Sequence, residues 1–440
     1  MEQVPELHTK VNLTPAAAAT ADDPRTVAAR GFDPTRLRRA MDLLERGINA
    51  GAFPGAVALI ARHGTVVASR ALGLAEQVPQ SRLMTVDMLF DVASITKVVA
   101  GLSAVLVLVD AGVWRLDDAV TRFIPEFRGG GKEVVTVRQL LTHTSGLPPW
   151  RPCYTVARAP GETFAYICAM DLEAPPGSQV QYSDLGMAMI RALVLRASGE
   201  DLPSLLRRAL FAPLGAHDMG YAPPSALHDR VAATEDGNLF ERGMVARAGQ
   251  RFDGWREGVL VGEANDGNTH YALEGVSGHA GLFATASDLA RFGQLYLQEG
   301  LWEGRRLLSG AAIAEALRPQ TASLSECYGL GWRLNKRSPR HVAPPVRSNL
   351  TRAIFPDDAA ASPPVSPFGH MLSPQAYGHT GFTGTSLVVD PARSLLMVLL
   401  TNSIHPRATR SRALGQLRER WHNAVVTAIT DPTARDAAPR

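Results

Sequence analysis

Lysine is scarce in this chain. Only four of its 45 basic residues are lysines, and they stand at Lys10, Lys97, Lys132 and Lys336. Arginine supplies almost every other positive charge, and it stays protonated in proteins, whereas a buried lysine can lose its proton. Lys97 lies inside an apolar segment. Its position therefore calls for a chemical reason beyond charge alone.

Cysteine is also scarce, and its spacing excludes two classes of protein. Cys153, Cys168 and Cys327 are an odd number without paired spacing, which excludes a disulfide framework and a zinc site and favours three buried thiols. No His-Glu-x-x-His or equivalent ligand spacing is present, and residues 129–131 lack the Lys-Ser/Thr of a phosphate-binding loop. We expect neither a metal nor a cofactor. The absence of Gly-x-Ser-x-Gly also disfavours an α/β-hydrolase.

Long apolar runs and a strong net charge are missing as well. The longest apolar run, residues 98–109, is broken by Gly101 and Ser103 and falls short of the ~18 residues of a membrane span, so we expect a buried helix there. A net charge of +3 gives no indication of a nucleic-acid or membrane partner. The first 30 residues have neither a basic start nor an apolar core, so we expect no secretory signal and, by default, a cytoplasmic location.

The residues that are present predict helices and strands in a definite order. Asp33-Pro34 is typical of a helix start, and Leu37, Met41, Leu44 and Ile48 form an apolar stripe behind it. β-Branched residues predict strands at 55–61 and 65–71 around a His63-Gly64 turn. Other segments are predicted from the same periodicities. They are a helix from Ser94 to about 111, further strands at 328–334, 385–389 and 395–401, and a last helix over about 410–429.

This order predicts an α/β (α+β) fold: an antiparallel sheet flanked by helices, with an inserted all-helical domain. The sheet domain would comprise residues 31–90 and 321–432, and the mainly helical domain residues 91–320, with the active site at their interface. Residues 1–30 are predicted to be a flexible arm. The Pro-rich segment 335–377 is either a lid or a disordered insertion, and disorder is the favoured interpretation.

Ser94 and Lys97 are three residues apart, and positions i and i+3 share a helix face. At a helix start, free N–H groups favour a developing negative charge on Ser94. A serine hydroxyl needs a neighbouring base, and Lys97 can be that base if burial lowers its pKa. The alternative interpretation is a capping serine beside a lysine that extends to solvent.

Together with other segments in the same order, this pair resembles the class C β-lactamases, low-molecular-weight penicillin-binding proteins and related serine esterases. The resemblance covers roughly residues 35–430. It rests on six segments: Ser94-Ile-Thr-Lys97; Leu140-Leu-Thr-His-Thr-Ser-Gly-Leu-Pro148; Pro176-Gly177 with Tyr182-Ser183-Asp184; Gly278-His-Ala-Gly-Leu-Phe283 with Asp288-Leu289; Tyr328-Gly-Leu-Gly-Trp332; and Gly378-His379-Thr380-Gly381.

The resemblance assigns roles to the loop residues Tyr182 and Asp184. Tyr182 would carry a proton to the leaving group. Asp184 stands where the family usually has Asn, and an ionised Asp donates no hydrogen bond. Its charge should also keep Lys97 protonated, which would shift the proton-accepting role toward Tyr182.

The resemblance also implies a substrate-binding strand at His379, Thr380 and Gly381, with the backbone N–H groups of Ser94 and Phe382 as the oxyanion hole. His379 replaces the family's lysine and is mostly neutral above pH ~6.5. Recognition of a free carboxylate should then be weak and pH-dependent. His143 and His279 lie in glycine-flanked motifs and are expected to shape loops near the cleft.

The resulting functional hypothesis is a penicillin-binding-protein-like serine hydrolase that forms an acyl-enzyme on Ser94. Its activity would be of the D-Ala-peptidase or esterase type, with poor β-lactam turnover. The expected partner is a small-molecule or peptide acyl substrate such as a β-lactam, a D-Ala peptide or an ester. Two alternatives are open: a true class C-like β-lactamase, and a non-catalytic β-lactam or muropeptide binder. Proteins of this family often work outside the membrane, so the absence of an export signal leaves the natural substrate open.

Overall fold

The structure of the protein is a computed structural model that describes residues 23–336, 347–354, 368–408 and 412–430. Within these residues the strands and helices follow the predicted order. The strands are β1 Gly55–Arg62, β2 Thr65–Glu76, β3 Arg82–Leu83, β4 Phe90–Asp91, β5 Gly220–Tyr221, β6 Leu282–Ala284, β7 Leu301–Trp302, β8 Arg305–Arg306, β9 Arg333–Leu334, β10 Tyr377–Thr380, β11 Ser386–Asp390 and β12 Leu395–Thr401. The helices are α1 Pro24–Ala29, α2 Pro34–Asn49, α3 Ser103–Asp110, α4 Val137–Leu141, α5 Pro160–Ala169, α6 Asp184–Ser198, α7 Leu202–Leu206, α8 Ala212–Leu214, α9 Leu239–Arg247, α10 Ala286–Leu297, α11 Gly310–Leu317, α12 Asn349–Ile354 and α13 Arg412–Thr427.

Seven of the described strands form one antiparallel sheet in the order β3-β2-β1-β12-β11-β10-β9. The predicted hairpin is confirmed, since β1 and β2 pair across His63-Gly64. The strands at the two ends of the chain meet in the middle of the sheet, where Leu59 faces Val398. This pairing brings β10, which follows the Pro-rich segment, into the same sheet as the N-terminal hairpin.

Both faces of the central strands are buried, which explains their continuous apolar sequence. Because side chains alternate along a strand, one face of β1 carries Val57 and Leu59 and the other carries Ala58 and Ile60. The first face packs on the large core shared with the helical middle of the chain. The second face packs under α2 and α13, which also contact each other. Asp33 caps α2 by accepting hydrogen bonds from two backbone N–H groups, as the Asp-Pro pair predicted.

A helix over Ala93–Asp110 runs through the large core. By length and composition it could cross a membrane, but 78% of this 18-residue window is buried inside the protein. Its position is that of a core helix, in agreement with the buried helix predicted from Ser94. It begins as a 3₁₀ turn, continues with π-type hydrogen bonding over Lys97–Leu102 and ends as α3. Such irregular turns inside a helix occur often at functional sites.

Three expectations need correction. The arm predicted over residues 1–30 contains α1, which Asp23 caps and Pro24 begins; residues 1–22 lie outside the described residues. The strand predicted over 328–334 is reduced to β9, because Gly331 has a positive φ of 70° and turns the chain. The disorder favoured for 335–377 is wrong where the segment is described, since α12 and residues 368–377 pack on the protein, while residues 337–346 and 355–367 lie outside the described residues.

Candidate active site

Ser94 lies in a tight turn that joins β4 to the core helix. Asp91, at the end of β4, accepts the backbone N–H of Ala93 at 2.8 Å through Oδ1 and that of Asn265 at 2.7 Å through Oδ2. Ala93 has a positive φ of 48°, which is unfavourable for a residue with a Cβ. Burial raises the pKa of Asp91 to about 6, and the two N–H bonds oppose this shift. The turn thus holds the serine next to the cleft in a strained conformation.

Lys97 is fully buried, and its ammonium group has two hydrogen-bond acceptors and one carboxylate as an ion-pair partner. Its Nζ lies 2.9 Å from Ser94 Oγ, 2.7 Å from Asp184 Oδ1 and 3.2 Å from the His279 backbone oxygen. It also lies 4.8 Å from the centroid of the Tyr182 ring. The structure therefore brings the predicted residues Ser94, Lys97, Tyr182 and Asp184 together.

The protonation of Lys97 differs from the simple expectation that burial would lower its pKa. Burial is the largest single effect and disfavours the charged ammonium, but the Asp184 carboxylate and Tyr182 together outweigh it, so the pKa of Lys97 is held above its ordinary value. The resting pair is an ammonium beside a carboxylate. This agrees with the effect expected of Asp where the family usually has Asn.

Residues 143–149 position Tyr182 and Asp184. The His143 backbone oxygen accepts the N–H of Gln181 at 2.8 Å, and His143 Nδ1 accepts the N–H of Ser183 at 3.2 Å. The N–H of Asp184 donates to the Pro149 oxygen at 2.9 Å. The Ser183 hydroxyl then caps α6 at Gly186. The motif Thr-His-Thr-Ser-Gly-Leu-Pro is thus a scaffold for the Tyr-Ser-Asp loop.

Tyr182 is enclosed between two histidine rings. Its ring centroid lies 4.5 Å from that of His143 and 6.2 Å from that of His379. Burial raises the pKa of the Tyr182 hydroxyl, and the neighbouring Lys97 opposes this shift. Burial and then Lys97 also push the pKa of His143 well below its ordinary value. Tyr182 and His143 are therefore both uncharged next to the buried Lys97 ammonium.

The end of β10 packs directly against the Ser94 turn. A Cβ added at Gly381 would lie 2.4 Å from the Val92 oxygen and 2.1 Å from Thr385 Oγ1, so only glycine fits there. Thr383 donates its hydroxyl to the Asp91 oxygen at 2.8 Å, and Thr385 donates to the Val92 oxygen at 3.0 Å. Phe382 follows Gly381 and lines the cleft together with Ser94. These hydrogen bonds hold together the two segments that carry the predicted oxyanion donors, Ser94 and Phe382.

His379 lies in β10 with its ring buried. Its Nδ1 is 2.9 Å from the Thr380 backbone oxygen, while its Nε2 has no hydrogen-bond partner among the described residues. Burial and the nearby Lys97 lower the pKa of His379 to about 3. The expected titration near pH 6.5 is therefore wrong, and the ring stays neutral through the physiological range. It offers a substrate carboxylate no charge.

The sequence missed several residues of this site. Arg333 in β9 lies close enough to His379 to lower its pKa, and it is held by the Tyr328 hydroxyl at 2.9 Å and by Glu326. Asn265 and Asp266 line the cleft although they are distant from Ser94 in the chain. The sequence does contain a signal for Asp91, because this residue precedes the predicted helix start, where capping residues occur. The other residues had none, because only the fold brings them to the cleft.

The cleft itself has a volume of about 460 Å³. Ser94, Tyr182, Asp184 and Phe382 line it, and so does Arg347 from the Pro-rich segment. Asp91 and Thr383, which are hydrogen-bonded to each other, also line it. Ser94 is thus accessible to a molecule the size of a dipeptide or a small ester.

Comparison with known proteins agrees with this geometry. The model of the Beta-lactamase family matches residues 40–419. The chain belongs to the β-lactamase family. It is a penicillin-binding-protein-like serine hydrolase by family, and the resemblance seen in its motifs is confirmed.

Two curated relatives are similar over most of their length. A protein of Escherichia coli (strain K12), named as an inferred D-alanyl-D-alanine carboxypeptidase, is 30% identical over 398 residues, which are 85% of this chain and 84% of that protein. The N-acetylmuramyl-L-alanine amidase of Bacillus subtilis (strain 168) is 29% identical over 395 residues, which are 85% of this chain and 82% of that protein.

A solved structure supports the fold. A penicillin-binding protein homolog from Caulobacter crescentus superposes with a TM-score of 0.64 at 24% identity, covering 89% of this chain and 97% of that one. At this identity the similarity speaks for the fold alone. The β-lactamase/transpeptidase-like fold predicted from the sequence, an antiparallel sheet with helices on both faces, is thus confirmed.

Proposed function

We propose that this member of the β-lactamase family is an acyl-transfer hydrolase in which Ser94 forms the acyl-enzyme. The observation that carries the proposal is the contact series from Ser94 Oγ to Lys97 Nζ at 2.9 Å and on to Asp184 Oδ1 at 2.7 Å. It links an accessible hydroxyl to a carboxylate through one buried amine. The domain division proposed from the sequence, with residues 91–320 as the helical part, would put this series at the interface.

Proton movement along the series gives the attack step. As Ser94 Oγ bonds to the substrate carbonyl carbon, its proton passes to Lys97 Nζ, and Lys97 passes one of its own protons to Asp184. Lys97 is then again an ammonium and Asp184 is a carboxylic acid, so the one positive charge that the pair gains balances the negative charge on the substrate oxygen. In a site closed to water, a positive charge kept beside Ser94 stabilises the developing oxyanion, because charges attract each other more strongly at a low dielectric constant. Asp184 thereby takes the role that sequence reasoning gave to Tyr182.

Tyr182 and the two backbone donors serve the later steps. The oxyanion formed on the carbonyl accepts hydrogen bonds from the N–H groups of Ser94 and Phe382. On collapse, Tyr182 hands its proton to the leaving group and regains one from Lys97, which regains its own from Asp184. Water then attacks the ester on Ser94 through the same groups in reverse. The leaving group carries one proton away and the water supplies another, so each group returns to its starting protonation state.

The substrate class we propose is an amide or ester of a small amino acid, with D-Ala peptides first. Two relatives are named for cleaving bonds at alanine residues. Efficient β-lactam turnover is not expected, because neutral His379 supplies no charge for the drug's carboxylate. A true β-lactamase is the second candidate, since the nucleophile geometry alone would allow it.

The test is acylation of Ser94. The wild-type chain and Ser94→Ala would be incubated with a fluorescent penicillin, a p-nitrophenyl ester and nitrocefin. We expect ester hydrolysis that falls by more than about 10³-fold in Ser94→Ala, because the acyl-enzyme route is lost. Slow penicillin labelling without nitrocefin turnover is expected as well.

Mass spectrometry separates the enzyme from the non-catalytic binder. An adduct on Ser94 that forms and then clears supports hydrolysis. A covalent adduct that never clears with any acyl donor would identify a binder. Full activity in Ser94→Ala would overturn the proposal.

A further inference from the structure

The charged residues that line the cleft beside Ser94 are mostly acidic. Of the described residues that line it, five are carboxylic acids and one, Arg347, carries a guanidinium. Asp184 faces Lys97, and Glu326 pairs with Arg333. Asp266 also lines the cleft and follows Asn265, whose N–H donates to Asp91 in the turn that holds Ser94. These acceptors are therefore linked to the Ser94 turn.

Asp266 carries a negative charge there. Burial alone would raise the pKa of its carboxyl, but the neighbouring His279 lowers it below its ordinary value. Its Oδ1 lies 3.0 Å from His279 Nε2 and accepts the Thr269 N–H at 2.7 Å. Burial, and then the Asp266 charge, raise the pKa of Glu241 to about 8. A second cation near Asp266 would relieve this crowding of carboxyls.

The side-chain oxygen of Asn265 independently indicates that a hydrogen-bond donor is missing from this part of the cleft. Its side chain is 4% exposed, it lines the cleft, and its buried Oδ1 has no hydrogen-bond partner among the described residues. An unpaired buried oxygen costs free energy that a ligand N–H can recover. Asn265 and Asp266 together thus present acceptors to a group that carries N–H donors and positive charge.

We propose that the cleft binds a substrate ammonium group at Asp266 and Asn265, so that the preferred acyl donors are amino acid amides or esters with a free amine beside the scissile carbonyl. This inference rests on the acyl-transfer function proposed above. It adds a substrate class that the family motifs do not indicate. A neutral His379 is consistent with it, because the site then selects for a cation and not for a carboxylate.

The experiment compares matched donors. Alanine p-nitroanilide and N-acetyl-alanine p-nitroanilide, each as the D and L form, differ only at the amino nitrogen, which is a charged amine in the first and an uncharged acetamide in the second. p-Nitrophenyl acetate reports basal activity. We expect wild-type kcat/KM to favour the free amine of at least one enantiomer by about tenfold, the size of one charge-assisted hydrogen bond. Asp266→Asn and, independently, Asn265→Ala should each reduce this ratio to about twofold or less.

The ratio cancels any loss of basal activity that a variant causes. Glu326→Gln is the matched control, since it removes a cleft carboxylate that pairs with Arg333, and its ratio should equal that of the wild type. Circular dichroism checks the fold of each variant. A ratio near one in the wild type, or an unchanged ratio in both site variants, overturns the ammonium site. If the enzyme turns over p-nitrophenyl acetate but none of the alanine donors, the ammonium site is overturned and the proposed function remains. A wild-type chain that none of these donors acylates overturns both.

Discussion

At the scale of single residues, the most consequential one is Asp184. Its carboxylate lies 2.7 Å from Lys97 Nζ and, together with Tyr182, outweighs burial and holds the pKa of that lysine above its ordinary value. An asparagine at this position could not accept a proton. In the mechanism we propose, the ion pair acts as one unit whose apparent pKa values belong to both groups. One carboxylate thus changes which group receives the proton of Ser94.

Asp184→Asn tests this role. With asparagine there, Lys97 stays buried but loses its countercharge, so its pKa falls, and it must be neutral before Ser94 can attack. We expect kcat/KM for a p-nitrophenyl ester at pH 7 to fall by about 10²-fold. The acid limb of the pH–rate profile should move to higher pH. Stopped-flow or plate-reader rates between pH 5 and 10 measure both.

The control for Asp184→Asn is Asp117→Asn. Asp117 is also a carboxylate in an ion pair, with Arg138, but its side chain is 67% exposed and does not line the cleft. Its variant should keep the wild-type profile. A profile for Asp184→Asn with an unmoved acid limb and an undiminished rate would rule out the relay.

At the scale of elements, the site depends on the contact between β10 and the turn before the core helix. Gly381 has no room for a Cβ, and Thr383 and Thr385 bond to the backbone of Asp91 and Val92. These contacts set the distance between the two expected oxyanion donors. An error of about 1 Å in such a placement can cost about 10²-fold in rate.

Gly381→Ala should therefore lower the rate of acyl-enzyme formation by about 10²-fold. The added Cβ would collide with the Val92 oxygen and force β10 away from Ser94. Gly161→Ala is the matched control, because Gly161 lies in α5 without a positive φ, and a Cβ added there would meet no atom within 4 Å. Burst kinetics with a p-nitrophenyl ester give the acylation rate. Equal bursts in the two variants would contradict the importance of this contact.

At the scale of the whole molecule, buried acids make stability depend on pH. Burial raises the pKa of Glu235 to about 7 and of Glu241 to about 8. In the unfolded chain both carboxyls ionise near pH ~4.3. The folded state therefore binds more protons than the unfolded state up to about pH 8, and the free energy of unfolding decreases as pH rises. The buried histidines act in the opposite direction, but only below pH ~6.5, where unfolded histidine gains its proton.

We expect the melting temperature to fall by about 2 °C or more between pH 6.5 and pH 8.5. Glu241→Gln should flatten this decrease, because glutamine does not titrate. Glu326→Gln, which changes a half-exposed carboxylate paired with Arg333, should leave the decrease in place. Differential scanning calorimetry at several pH values measures it. A melting temperature that rises over this interval would contradict the prediction.

The sequence by itself determined most of the elements and pointed to Ser94 as the proposed nucleophile. Helix α2, the β1–β2 hairpin and α13 follow from local periodicity and turn or cap residues, which depend on neighbouring residues only. Ser94, Lys97, Tyr182 and Gly381 were found because ordered motifs survive in the chain. The helix α1 and the described part of the Pro-rich segment were missed, since short helices depend on their tertiary contacts.

Only the tertiary structure decided the charges of the site. Whether Lys97 is charged depends on its distance from Asp184, and whether His379 is neutral depends on how deeply the sheet buries it. Neither quantity is local in sequence. The same holds for Asn265 and Asp266, which reach the cleft only because Asp91 accepts the N–H of a residue 174 positions away. Electrostatic free energy depends on distance and solvent exclusion, and these are properties of the folded chain.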